Sequence, residues 1–404
     1  VSDEQVDILI VGGGLIGAAL MLALANSPYR VMIVEALPYS TRLKDDFDTR
    51  TLALSPASVT ILKILKLWPV ISPDATPITT IHVSEQGRFA TTRLQGTEGT
   101  PLGYVVPLQS IHRALHPLLK PQQVLAPAKL IAWDNDQRLA MIEDEQGLRQ
   151  IKTHLLIAAD GGQSTVRQLL NLPVRSKNYH QHAVIANIGL NRDHHQVAYE
   201  RFTRNGPLAL LPMTNRRSAL VWCLPPAEAE AVSRLPEPQF LQRLQQTFGY
   251  KLGRFIKVGQ RGVYPLKQLV MPETAHWPVL FVGNAARTLH PVAGQGFNLG
   301  LRDMAALAQV IVKQGINPAM MEQYQAMRSH DQRAIIQFTD GLVSLFGSRM
   351  PGVGFGRNLG MMMMDNMPLL KSMLSHYARG YAGVVPDLAC GITLTKGTAH
   401  ASDL

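Results

Sequence analysis

The residues of this chain best suited to chemistry are glycines and short polar side chains, set where strands give way to helices. Val279 to Val282 reads as a buried strand, Gly283-Asn284-Ala285 as a turn, and Pro291 breaks the following loop before a helix expected from about Phe297. Gly294-Gln295-Gly296 precedes that helix directly, so backbone N–H groups stay free and a ligand can approach the main chain. A helix N-terminus carries roughly half a positive charge, which favours an anionic group. These features make an anion site without an identity.

A second stretch is more specific. Val6 to Val11 is an apolar strand, followed by the G-x-G-x-x-G of Gly12, Gly14 and Gly17, a helix over Ala18 to Ala25, a turn at Asn26-Ser27-Pro28, and a strand Val31 to Val34 ending in Glu35. In such a unit the first glycine makes the turn, the second admits a pyrophosphate and the third packs helix on strand. The acid takes ribose hydroxyls. A dinucleotide site follows, with NAD and FAD both open. A third stretch delivers Asp160 and Gly161 from the end of a buried strand, Leu155 to Ala158. Asp160 is there either a ligand contact at the carboxyl end of a sheet or a cap for the next helix.

Other chemistry is poorly supplied. His180, His182, His194 and His195 lack Cys, Asp or Glu at ligand spacing, so no metal is expected. Cys223 and Cys390 form neither a C-x-x-C pair nor a disulfide framework, which fits a reducing setting.

Positioning these loops takes a large fold. With 404 residues, 46% hydrophobic and 17% charged, the chain reads as globular with two interlocked domains. A formal charge of +10 suits anionic partners. Without a nucleic-acid-binding signature, an acidic membrane face ranks above nucleic acid, beside the plain alternative of a basic surface. No apolar run reaches a spanning length and the opening VSDEQ is acidic where a signal peptide is basic. A cytoplasmic location is expected, with a peripheral place on the inner membrane as its extension.

Between the loops, the pattern predicts a helix from about Ser55 to before Pro69, antiparallel strands over Ile78 to Arg93 turning at Glu85-Gln86-Gly87-Arg88, and an amphipathic helix over Val105 to Leu119. Strands follow over Val124 to Glu143, broken at Asp134-Asn135-Asp136. A hairpin pairs Leu208–Met213 with Ser218–Leu224 and leaves Trp222 as packing; Pro225 to Phe248 is helical. A helix from Phe297 to Lys313 is capped by Gly315. Met350 to Met373 is basic and Met-rich, and beyond Asp387 a polar, disordered tail is expected.

Taken together, the glycine loop, the segment Ile157 to Arg167 and the stretch around Gly283 to Asp303 resemble the fingerprints of the single-component, FAD-dependent aromatic hydroxylases of the p-hydroxybenzoate hydroxylase type. The resemblance runs from about Asp7 to Met363. In ERFT..GPLA.LPM and LVWC, within Tyr199 to Leu224, it is similar to the ubiquinone-biosynthesis branch. It implies an α/β fold in which a Rossmann-like FAD-binding domain of the glutathione-reductase type (residues 1–77, 104–178 and 271–335) is interleaved with an antiparallel-sheet substrate domain (78–103 and 179–270). A helical C-terminal region and tail (336–404) complete it.

The resemblance also implies site roles: FAD contacts from Asp160 and Gly161, and Arg50 of Asp48-Thr49-Arg50 near the pyrophosphate or ring, where the residue-level alternative is an ion pair with Asp48 or Asp46. It places Pro291, Gly294, Gly296 and Asn298 against the flavin ring. Where the family has Gly-Asp-Ala-Ala this chain has Gly283-Asn284-Ala285-Ala286, and the Asn284 carbonyl can replace the carboxylate as acceptor. NAD(P)H would reduce FAD without a Rossmann domain of its own. O₂ would add to flavin C4a, and the distal hydroperoxide oxygen would attack a polyprenylphenol. No side chain is expected to act as a covalent nucleophile. The Met-rich C-terminus would meet an anionic membrane or a ubiquinone-biosynthesis complex. The alternatives are a non-catalytic FAD-binding scaffold, a flavin-dependent prenyl reductase, a flavin halogenase (whose W-x-W-x-I-P is absent) and a nicotinamide dehydrogenase.

Overall fold

The computed structural model describes residues 3–38, 48, 50–88, 91–96, 100–347, 379–381 and 383–394. The Met350 to Met373 expectation therefore lies outside the described residues.

Asp3–Val11, Val31–Val34, Gly147–Ala158 and Val279–Phe281 form the parallel centre of an eight-stranded sheet. Where the four lie together, residues 8–11, 31–34, 155–158 and 279–281 are apolar throughout and buried on both faces, as inner parallel strands must be. Register puts Val34, Val11 and Ala158 side by side, with Ala158 opposite Phe281, so the segments that follow these strands leave one edge together.

A nine-stranded sheet holds Thr80–Glu85, Thr91–Gln95, the long Arg175–Leu190, and the hairpins built from Val197–Thr203, Gly206–Met213 and Arg217–Leu224. One face of it buries Leu208, Leu210, Leu220 and Trp222 under the helices Pro226–Ser233 and Glu237–Phe248. The strand Arg287–Thr288 joins this sheet through Gly262–Val270, tying it to the loop that leads to Pro291.

Gln295–Gln314 is the central helix, buried nearly all round. It passes close to the first helix, Leu15–Ala23, because Gly283 and Gly300 are bare. A Cβ on Gly300 would lie 3.2 Å from Ile16 Cδ1 and 3.4 Å from Gly283 Cα. No helix among the described residues is long and apolar enough to cross a membrane.

The structure changes several expectations. The first helix starts at Leu15, not Ala18, with Gly14 as its N-cap, and the central helix starts at Gln295, not Phe297. Val105 and Val106 belong to the strand Gly103–Pro107, which pairs with Thr51–Leu54; the helix occupies only Leu108–Leu115. Here strand pairing overrides a helical apolar pattern. The tail beyond Asp387 is not featureless. Asp387–Cys390 forms a 3-10 turn with Leu388 and Ala389 buried, held by Gln309, which accepts Asp387 N–H at 2.8 Å, and by Lys313 at 2.7 Å from the Asp387 carboxylate.

Candidate active site

Side chains following the parallel strands converge at one edge. Gly12, at φ +104°, sits so near the Asp160 turn that a Cβ there would lie 2.5 Å from Ala159 O and 2.7 Å from Asp160 N. A Cβ on Gly17 would meet Gly12 O at 2.0 Å, which is the close helix–strand approach the third glycine permits. Around Gly14 the opposite holds: a Cβ would meet no atom within 4 Å. The same openness surrounds Gly161, at φ +84°, and Gly296. Backbone without neighbours at a helix start is room for a ligand.

Glu35 reaches this loop. Its Oε2 accepts Gly13 N–H at 2.7 Å and its Oε1 accepts Leu37 N–H at 2.9 Å, leaving further lone pairs on both oxygens. Asp160 divides its carboxylate. Oδ2 accepts Val166 N–H at 3.2 Å, the capping alternative, while Oδ1 is buried with no partner. Burial outweighs its hydrogen bonds and raises the Asp160 pKa above the usual carboxylate value. An orphaned acceptor of this kind is what a cofactor hydroxyl would satisfy. Arg167 locks the turn to its neighbour, donating to Gly162 O at 2.7 Å and Ala285 O at 3.1 Å. That leaves Asn284, one residue back, exposed at the same edge.

Two of the expected residues have protein partners. The Asn298 side chain is fully engaged: Oδ1 accepts Ser55 N–H at 2.8 Å and Ser58 Oγ–H at 2.7 Å, and Nδ2 donates to Ala53 O and Gly294 O, each at 2.9 Å. All its hydrogen-bonding capacity goes into holding Gly294 against the strand Thr51–Leu54. Arg50 is exposed with its guanidinium 4.7 Å from the Tyr264 ring centre, and Asp48 accepts Gln260 N–H at 2.6 Å instead of pairing with Arg50. Both charged residues of this D-x-R thus reach the segment that leads into and along the strand Gly262–Val270 of the nine-stranded sheet.

Gly294, at φ +59°, turns the loop into the central helix, whose first-turn N–H groups at Gln295, Gly296 and Phe297 have no acceptor four residues back. No motif in the sequence marks what surrounds it. Gln295 is buried with Oε1 unpaired. His290 is buried against Tyr179 with ring centres 4.9 Å apart. Burial lowers its pKa to about 4, Nδ1 accepts Val292 N–H at 3.1 Å, and the Nε2 proton points to no partner. The only local signal is a histidine directly before the loop proline.

Behind the loop lies a buried charge network. Asp303 takes Arg287 at 2.6 Å and Arg328 at 2.7 Å, while Asp331 takes Arg302 at 3.0 Å and also Arg328. Burial alone would raise the Asp331 carboxyl, yet Arg302 and Arg328 hold it below the ordinary range. The helix Pro318–Gly347 is thereby bolted to the central helix. It also lies against Val292–Gly294 and Gly206–Met213, so this loop and the nine-stranded sheet share one neighbour.

The FAD binding domain family matches residues 5–339. A ubiquinone hydroxylase of Rhodospirillum rubrum is 33% identical over 402 residues, covering 96% of this chain and 92% of its own length. A 3-demethoxyubiquinol 3-hydroxylase of Escherichia coli is 30% identical, covering 94% and 100%. Among solved structures, p-nitrophenol 4-monooxygenase of Pseudomonas putida shares the fold with a TM-score of 0.76 at 16% identity, covering 94% of this chain and 99% of that one.

Proposed function

The chain belongs to the FAD-dependent monooxygenases of the ubiquinone-biosynthesis hydroxylase type, and on that premise we propose that it hydroxylates a polyprenylated phenol ring on the way to ubiquinone. The specific substrate we assign is 2-octaprenyl-6-methoxyphenol, hydroxylated at C1, a reading supported by Asn284 at the place where the resembled family usually has aspartate. The residues fit FAD. Gly12 to Gly14 and the start of Leu15–Ala23 would take the pyrophosphate, Glu35 the ribose, and Asp160 Oδ1 and Asn284 the hydroxyls between. The N–H groups of Gln295 to Phe297 would stabilise negative charge on the ring. When bound, FAD accepts a hydride from NAD(P)H and activates O₂ for transfer of one oxygen atom.

The observation that carries the substrate side is the inner face of the nine-stranded sheet. There Ile185, Ala209, Leu211 and Val221 are apolar and only partly covered, on the side from which Tyr179 reaches His290. An apolar face beside the flavin loop suits a greasy phenol and keeps water out. The same reading divides the chain as the sequence pattern does, into FAD-binding and substrate domains, with peripheral attachment to an anionic inner-membrane face as its consequence.

The test is NAD(P)H oxidation by the FAD-loaded protein with and without a short-chain prenylated methoxyphenol. Stimulation with ring hydroxylation is the expected result. FAD binding without stimulation favours the scaffold, and reduction of a prenyl double bond without oxygen incorporation favours the reductase.

A further inference from the structure

The strand Val197–Thr203 sends its side chains alternately to the two faces of its sheet. Tyr199 and Arg201 take the face under Glu237–Phe248, where Tyr199 meets Phe248 edge-on at 5.4 Å and Arg201 Nε donates to Thr247 O at 3.1 Å. Glu200 therefore takes the inner face. Register sets it between Val83 and Ala209, with Ala209 opposite Val221 and Val221 opposite Ile185. Of these five side chains Glu200 is the one polar one; beyond Val83 the row ends on Thr92. Cys223, one step along the same face, clusters with Tyr179, and Tyr179 touches His290 beside the flavin loop.

No hydrogen bond or ion pair reaches the Glu200 carboxylate from a described residue. The group is densely surrounded yet keeps part of its accessible surface. An unpaired carboxylate in an apolar face costs stability, and such a cost is retained where a ligand supplies the partner.

Resting on the aromatic-hydroxylase reading, we propose that Glu200 is a catalytic residue that accepts the phenolic O–H of the bound substrate. The O–H bond breaks, an O–H bond to Glu200 forms, and the freed electron pair enriches the ring. The ring carbon then bonds the oxygen atom derived from O₂ and loses its own proton to restore aromaticity. Glu200 returns its proton to the phenolic oxygen. The net change is C–H to C–OH, with the second oxygen atom leaving as water on the two electrons of NAD(P)H.

Burial pushes the Glu200 pKa up to about 7, closer to a phenol than an ordinary carboxylate stands. Of the groups facing it, the Cys223 thiol is pushed up by burial and by Glu200, Tyr179 is pushed up by burial, and His290 is held neutral at about 4. Beyond Tyr179 lie Lys177 and Asp340, paired with each other at 2.5 Å.

The test follows binding of a short-chain prenylated methoxyphenol, and of its O-methyl ether, to the FAD-loaded protein by flavin absorbance without NAD(P)H. The phenol should bind wild type about tenfold more tightly above pH ~8 than below pH ~6, and the ether should show no such change. Glu200→Gln, checked for full flavin content, should bind the phenol with no pH dependence. With NAD(P)H and O₂ its hydroxylated product per NAD(P)H should fall by about tenfold or more, hydrogen peroxide making up the difference. Glu200→Asp should restore part of the pH dependence. A Glu200→Gln protein that keeps the wild-type pH dependence and product yield overturns this role alone. A wild type that binds no prenylphenol at any pH overturns both the role and the substrate reading.

Discussion

Gly12 and Asp160, far apart in the chain, lie so close that a Cβ on Gly12 would sit 2.7 Å from the Asp160 backbone nitrogen, whereas two residues on a Cβ on Gly14 would meet nothing within 4 Å. One glycine joins two segments of the protein; the other keeps space for a ligand.

The two glycines should therefore fail differently. Gly14 has φ −64°, which any residue adopts, so Gly14→Val should fold with the apoprotein melting temperature of wild type and lose FAD. Gly12→Ala, at φ +104° and with a backbone clash, should lower the apoprotein melting temperature itself. Calorimetry of both apoproteins, with FAD titrations, separates the cases.

Asn298 makes four side-chain hydrogen bonds that hold Gly294 to the end of the strand Thr51–Leu54 and the helix start after it. Asn298→Ala strands buried partners and should cost about 2–4 kcal/mol in denaturant unfolding. FAD affinity should fall too, because Gly294 loses its tether.

Much of the site was legible because its parts obey local rules. The glycine loop, the strand Val31–Val34 and the DG turn each carry their own pattern of turn and apolar residues. The hydrogen bonds of Asn298 are not legible: its partner Ser55 is 243 residues away and no local pattern shows that bond. Alternation in Val197–Thr203 tells that Glu200 and Tyr199 face opposite ways, but not which face meets the flavin loop. The Arg–Asp network is hidden for the same reason: Arg302-Asp303 looks like an exposed helical pair until Pro318–Gly347 covers it.

Removing Asp303 leaves Arg287 and Arg328 buried without their shared acceptor. Asp303→Ala should be destabilised by about 3–5 kcal/mol, visible as an early thermal transition.

His290 carries the pH dependence of the loop. Burial depresses its pKa to about 4 against an unfolded value of 6.5, so the unfolded chain binds more protons between those limits. Its contribution is fully present above pH ~6.5 and is lost as pH falls toward ~4. His290→Leu should lessen the loss of thermal stability across that window without abolishing it, since burial holds His82 at about 4 as well; an unchanged acid profile would assign the whole loss to other groups.

The most direct measurement is the fate of oxygen. FAD-loaded protein, NAD(P)H, heavy-isotope O₂ and a short-chain prenylated methoxyphenol should yield a ring-hydroxylated product carrying one heavy oxygen atom from O₂, read by mass spectrometry. NAD(P)H consumed into hydrogen peroxide with the phenol recovered unchanged, or a product with no heavy oxygen, would contradict the account.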